Sequence, residues 1–348
     1  MNASKRWMLV GRDVLVPPLA VVAVVAILGL SSESNYEYGT TLALCINIIA
    51  LVGLNMIAGH AGQIALGHAA LIGTGAYTVV VLGTDYGFAG AATLILAPVI
   101  SAALAVVIGV PTLRLRGLYF SVGTLAFAVI VDFINNRATS LTGGPDGKIV
   151  NPLMFGERSY ALPADFFQLV LVFLVVVLVF ERLFVRTWVA WGLKAARTSE
   201  PAASAAGVAI FSSRLGAFAI AGALAGLAGA LSAYQTLYIS PSSYTLLASV
   251  DLFVVLFIGG MATFIGPVAG AFILYSFERW LSPYPDLKPF ALAIVFLLAL
   301  RFFPGGLGGA INDAWNRFAP SFRTRPPDRQ IDGPASQQSE PVTEGVGR

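Results

Sequence analysis

Charge is scarce in this chain. Only 11% of its 348 residues are Asp, Glu, Lys or Arg, while 57% are hydrophobic. A soluble globular domain carries about 25% charged residues, and the mean hydropathy of +0.80 lies far from that class. A chain this apolar has more apolar surface than one water-soluble core can hide. Cysteine is nearly absent: the single Cys45 sits inside an apolar run, which excludes a disulfide framework and a thiolate metal site. There are two histidines, His60 and His68, eight residues apart with glycines between them, so no His-x-x-x-His pair exists and no metal is expected. No Walker A pattern is present either. The nearest approach, Gly147-Lys148, continues with Ile149, and without the Ser or Thr there is no P-loop to bind ATP on this chain. The G-x-S-x-G nucleophile elbow is missing, so no catalytic residue is assigned and no enzyme is expected. Acids within the apolar runs are few. Asp132 and Asp251 are placed near the outer ends of their spans, whereas a proton- or sodium-driven carrier keeps intramembrane acids along its path. The net charge of +3 comes from basic residues in short loops. That is a topology signal, and it gives no reason to expect a nucleic-acid partner.

What the chain has in abundance is unbroken apolar sequence. In lipid, backbone polar groups must be satisfied internally, which leaves helices or closed barrels. Barrel strands alternate apolar and polar residues; the run 170–180 does not. The expectation is an all-α, polytopic membrane protein. Uncharged stretches cover residues 14–32, 38–84, 86–113, 117–131, 166–180, 215–250, 252–277 and 289–300. A span needs roughly 20 residues. The 47 residues of 38–84 are therefore two crossings, with a break near 59–67. The stretch 252–277 holds Gly259-Gly260 and Gly266-Pro267, and reads as one bent helix or two short pieces, two being favoured. The positive-inside rule puts Lys5, Arg6 and Arg12 in the cytoplasm, Glu33, Glu37 and Asp85 outside, and Arg114, Arg116 and the basic segment 182–214 inside. This gives about ten crossings with both ends cytoplasmic; eight or nine are the alternative counts. Residues 1–13 form the cytoplasmic N-terminus, continued by a first helix read as retained rather than cleaved. Residues 14–303 form the membrane domain, and 304–348 a cytoplasmic tail. The tail has five Arg against five acids and too little apolar content to make a core, so disorder is expected. Gly222 and Gly226, four apart on one helix face, suit close helix packing.

The most informative interruption is the inner segment 185–213, VRTWVAWGLKAARTSEPAASAAGVAIFSS. Thr198 or Ser199 can cap a helix whose first turn holds Glu200 and Pro201. Ala202, Ala203, Ala205 and Ala206 extend it, and Gly207 ends it. A short alanine-rich helix between spans can dock in a groove on another protein or serve as an ordinary connector. From the segment alone both readings stand.

This segment resembles the EAA-type coupling loop of ABC importer permeases, with Arg197, Glu200, Ala203 and Gly207 in the corresponding positions. More specifically, the chain resembles the LivM-type permease subunit of branched-chain amino acid importers. NMIAGHAGQIALGHAALIGTGAYT (55–78), RLRGLYFSVGTLAFA (114–128), LTGGPDG (141–147), IGGMATFIGPVAGA (258–271) and RFFPGGLGG (301–309) follow that family's order. Pro201 departs from it, standing where the family often has an aliphatic residue. The resemblance implies a bacterial inner-membrane permease for branched-chain or other hydrophobic amino acids. It implies a second, H-type permease, two ATP-binding subunits that use ATP and magnesium, and a periplasmic substrate-binding protein. No cofactor is implied on this chain. A urea or short-chain amide importer is the alternative within the family, and a stand-alone secondary transporter the alternative outside it. Gly59, Gly62 and Gly67, with Gly259, Gly260 and Gly266, are the expected helix breaks. Gln63, His68 and Thr124 are the polar side chains expected to line a substrate path beside them.

Overall fold

The computed structural model describes residues 3–309 except 33, 116, 156–157, 161, 282, 285–286 and 303–305. The expectations placed on Glu33, Arg116 and the tail beyond 309 lie outside the described residues.

The architecture is helical throughout the membrane domain. In chain order the helices are α1 (Ala3–Leu30), α2 (Asn35–Leu54), α3 (His68–Thr78), α4 (Gly90–Thr112), α5 (Leu118–Arg137), α6 (Thr139–Thr142), α7 (Pro163–Phe184), α8 (Trp188–Thr198), α9 (Glu200–Ala205), α10 (Ile210–Thr236), α11 (Leu246–Gly259), α12 (Ile265–Trp280) and α13 (Lys288–Phe302). Two of them continue as wider π-helical turns, α2 into Asn55–His60 and α3 into Val79–Asp85. Among the described residues, six stretches are long and apolar enough to cross a membrane: Asn35–His60, Gly90–Thr112, Leu118–Arg137, Pro163–Phe184, Ile210–Thr236 and Phe290–Gly309. Val14–Leu30 and Leu246–Gly259 are shorter apolar helices. A count of ten thus depends on these two and on the segments 68–85 and 265–280. Among the described residues, the loops between helices carry four strands of two residues each, β1 (Lys148–Ile149), β2 (Met154–Phe155), β3 (Arg158–Ser159) and β4 (Tyr238–Ile239). Strand β1 pairs antiparallel with β4, tying the loop after α6 to the end of α10.

Helix α2 is the centre. Ser34 caps it, accepting from the Glu37 N–H at 3.3 Å, an S-x-x-E start. From Tyr38 onward α2 carries no charge and is apolar on every side, the pattern of a helix surrounded by others. Accordingly 89% of its apolar window is buried, against 33–39% for α4, α5 and α7, which keep one broad face for lipid.

Lipid tails are as apolar as leucine, so helices associate there by close packing and polar contacts. The glycines of α10 supply the packing. A β-carbon on Gly222 would stand 2.8 Å from the Ser101 carbonyl oxygen of α4, and one on Gly226 would stand 2.6 Å from that of Ala97. On the neighbouring side, Gly75 of α3 lies directly on the Gly226 backbone. The expected stripe therefore joins α10 to two helices at once.

The direction of each helix follows from contacts at its ends. Arg279, near the end of α12, pairs with Glu37 at the start of α2 (2.9 Å). The turn before α12 meets Asn55 at the far end of α2, so α12 runs antiparallel to α2. Gly29 of α1 rests on Phe167 at the start of α7. After α13, Gly306 and Gly308 return to Gly260 and Thr263.

A Gly226→Val substitution should force α10 away from α4, costing about 3 kcal/mol of packing and abolishing monodisperse protein in detergent. Gly216→Val, where nothing lies within 4 Å, should leave the elution profile unchanged. Size-exclusion chromatography of both variants checks this.

Candidate functional site

The segment between α7 and α10 folds as two helices, not one. Thr187 caps α8, accepting from the Ala190 N–H at 3.3 Å. Of the two caps the sequence offers for α9, Ser199 is used: its hydroxyl accepts from the Ala202 N–H. Gly207 leaves α9 with φ +82°, a left-handed exit that a side chain would oppose. Glu200 at the start of α9 is paired with Arg214 on α10, while Ala203 is buried beneath the helix. Pro201, Ala202, Ser204, Ala205 and Ala206 remain exposed. Alpha9 is thus pinned at its base and open on its outer face.

Arg197, in the last turn of α8, reaches back into the bundle. Its Nη1 donates to the Gly59 carbonyl at 2.7 Å. Its aliphatic stem lies across Gly62, where a β-carbon would sit 2.9 Å from Arg197 Cγ. Gly62 also has φ +68°, so glycine is required there twice over, once by conformation and once by space.

Residues 61–67 separate the π-helical end of α2 from α3, at the expected first break. The backbone groups it frees are met by distant side chains. Thr124 of α5 accepts from the Leu66 N–H (3.1 Å) and Ser249 of α11 accepts from the Ala69 N–H (2.9 Å). His68 Nε2 donates to the Ala50 carbonyl of α2 at 3.0 Å. Gly67 has the Thr124 carbonyl where its β-carbon would go, at 2.6 Å. His68 and Thr124 are each 1% exposed and are committed to holding this break. Gln63 is half-buried, and its side chain has no hydrogen bond among the described residues.

The second break, between α11 and α12, turns through Gly260 (φ 110°) and Ala262 (φ 61°). A left-handed alanine costs about 1–2 kcal/mol, so something must hold it. Asn55 does: its Oδ1 accepts from the Ala262 N–H at 2.8 Å and its Nδ2 donates to the Thr263 carbonyl at 3.1 Å. The same Nδ2 donates to Glu181 Oε1 of α7 at 3.1 Å. Gly266, opening α12, has its N–H bonded to Thr263 Oγ1 (3.0 Å), and Gly259 packs directly on the Gly266 backbone.

Asn55, Glu181 and Ser249 were not expected from sequence. Glu181 lies beside Arg182 and reads as the charged end of the span 166–180; the structure places it within α7 at 0% exposure, because Asn55 gives it a buried partner. Asp251 lies five residues into α11, which begins at Leu246, on an exposed side of that helix. Asn55 heads the first glycine-rich stretch, and a lone amide in an otherwise apolar run was the available signal.

These elements define a multi-pass helical membrane protein with two broken helices and a capped connector helix at the same end of the bundle. Residues 35–300 match the family described as branched-chain amino acid transport system / permease component, and the chain belongs to that family. It is 31% identical over 291 residues to the high-affinity branched-chain amino acid transport system permease protein LivM of Salmonella typhimurium (strain LT2), covering 75% of this chain and 67% of that protein. To the protein of the same name in Escherichia coli (strain K12) it is 30% identical over 291 residues, with the same coverage. No solved structure matches it.

Gly62→Ala should displace Arg197 and impose a left-handed alanine, lowering stability by about 1–2 kcal/mol. A thermal-shift measurement in detergent checks this. Gly39→Ala, with nothing within 4 Å of its β-carbon position, should not lower the midpoint.

Proposed function

We propose that this chain is one of two permease subunits of a bacterial inner-membrane ABC importer for branched-chain or other hydrophobic amino acids. The observation that carries this reading is the family match over residues 35–300, which spans both helix breaks and the connector helix. The names of the relatives favour branched-chain amino acids over urea. In this reading an H-type permease completes the path, two ATP-binding subunits consume ATP with magnesium, and a periplasmic protein delivers the substrate. This chain performs no catalysis of its own.

The segment 185–213 is the coupling segment and faces the cytoplasm. The exposed outer face of α9 docks against an ATP-binding subunit, while Arg197, Glu200, Ala203 and Gly207 fix its position. Both ends of the chain are assigned to the same, cytoplasmic side. The C-terminal end of α1 meets the start of α7, the end away from α8, and residues 306–308 return to the turn that Asn55 holds, beside Gly59 and Arg197. That supports cytoplasmic placement of 1–13 and of the tail from 304 onward. Transport then alternates between two packings of the permease pair, each favoured by different ligands. Of the three polar residues assigned to the path, Gln63 is the one free to meet substrate, and His68 and Thr124 shape the break beside it.

The test is uptake into proteoliposomes holding the complete complex, with the binding protein added outside. Labelled leucine, isoleucine and valine should enter only with ATP, and labelled urea should not. Uptake that follows a proton or sodium gradient and ignores ATP would refute the assignment. Gly207→Val, which opposes the left-handed exit of α9, should lower uptake per ATP hydrolysed about tenfold. An unchanged ratio would remove α9 from the coupling role.

A further inference from the structure

Both helix breaks and the coupling segment converge on one turn, Asn55–His60. On one side of that turn the Gly59 carbonyl accepts from Arg197 at 2.7 Å. On the other, a β-carbon at Gly59 would stand 2.6 Å from the Ala262 nitrogen and would overlap Asn55 Oδ1. The turn thus touches the coupling segment and the 260–264 turn through a single glycine. Asn55, one turn earlier, bonds both backbone groups of that turn, the Ala262 N–H and the Thr263 carbonyl. Glu181 Oε1 accepts the remaining reach of its amide. Glu181 is fully buried, and its Oε2 has no hydrogen-bond partner among the described residues. The 260–264 turn in turn supports the end of the domain, since Gly308 lies 2.5 Å, at its β-carbon position, from Thr263 Oγ1.

We propose that Asn55 is a positioning residue that clasps the 260–264 turn as an inner gate, and that Gly59 passes the movement of Arg197 to this clasp. The inference rests on the proposed transport function for its purpose, but not for its test. Ala262 is left-handed at φ 61° and is held so by the Asn55 carbonyl. The clasped turn is therefore strained, and strain of this kind persists only where the surroundings enforce it. Releasing the clasp lets Ala262 relax, so the turn has a second conformation to move to. The π-helical winding of Asn55–His60 adds a means of transfer. An over-wide turn can tighten or widen by a residue without breaking the rest of the helix, and both ends of this one are held by other elements.

This makes a prediction of sign. Asn55→Ala removes the clasp and should open the turn. Ala262→Gly keeps the backbone N–H that Asn55 holds but makes the left-handed conformation free, and should close it. The readout is the rate at which Met261→Cys reacts with a membrane-impermeant maleimide applied from the side bearing the ATP-binding subunits. It uses the full complex without nucleotide. Asn55→Ala should raise that rate about fivefold, Ala262→Gly should lower it about fivefold, and the double variant should lie near the parent, because a left-handed alanine costs about a factor of five or more. Shifts in the same direction, or no shift, overturn the clasp. If Asn55→Ala does not insert, Ala262→Gly decides alone, and an unslowed reaction overturns the proposal. Glu181→Gln keeps an oxygen facing the Asn55 amide and should leave the rate near the parent. Arg197→Ala should abolish the change in rate that ATP produces; a preserved change overturns the link through Gly59. Labelling requires no transport, so a complex that fails to import amino acids would refute the proposed function while leaving the clasp measurable.

Discussion

Inside a bilayer a backbone N–H or carbonyl has no water to turn to, and the interior of this protein is arranged around that constraint. A place where a helix stops within the bundle leaves orphan groups, and at both breaks side chains from other helices meet some of them. Thr124 and Ser249 hold the start of α3, His68 turns back to α2, and Asn55 bonds both sides of the turn between α11 and α12. Polar side chains at the breaks hold irregular backbone in place, which is why an apolar interior can still contain two breaks.

The same requirement explains the glycines. A side chain can reach a freed backbone group only if the two segments lie close together. Gly67 lets the chain approach the Thr124 carbonyl, Gly59 makes room for the Asn55 amide and the Ala262 nitrogen, and Gly226 brings α10 onto α4 and α3. Small residues and polar residues act as pairs here, one giving access and the other giving the bond. Removing either leaves a buried polar group unmet, which costs more than the bond itself contributes.

The features legible in the sequence were those with a local cause. Charge gaps located the apolar helices, and the glycine clusters located both breaks to within a few residues. Ser199, Glu200, Pro201 and Gly207 specify α9 within a single turn of helix, because caps and exits are set by neighbouring residues. What was not legible depends on pairing over long separations. Asn55 and Glu181 are 126 residues apart and Asn55 and Ala262 are 207 apart, and no periodicity predicts that they meet. Glu181 shows the cost of reading charge as a boundary. A carboxylate reads as a helix end only until a buried amide is supplied for it. The polar residues assigned to a substrate path were found by the same reasoning that locates breaks, and His68 and Thr124 also form hydrogen bonds at the first break.

In the proposed function the chain draws its energy from other subunits, and a movement at its surface must then become a rearrangement in its interior. Long side chains transmit such movements poorly, since each rotatable bond absorbs part of the displacement. Here the path from α8 inward has one flexible side chain, Arg197, and it ends on a backbone carbonyl. From Gly59 to Asn55 the connection is a single helical turn, and from Asn55 to Ala262 it is one short amide. Packed interiors respond by switching between discrete arrangements instead of bending continuously. A rigid link ending on a left-handed alanine has the two parts such a switch needs, a defined input and a conformation to leave.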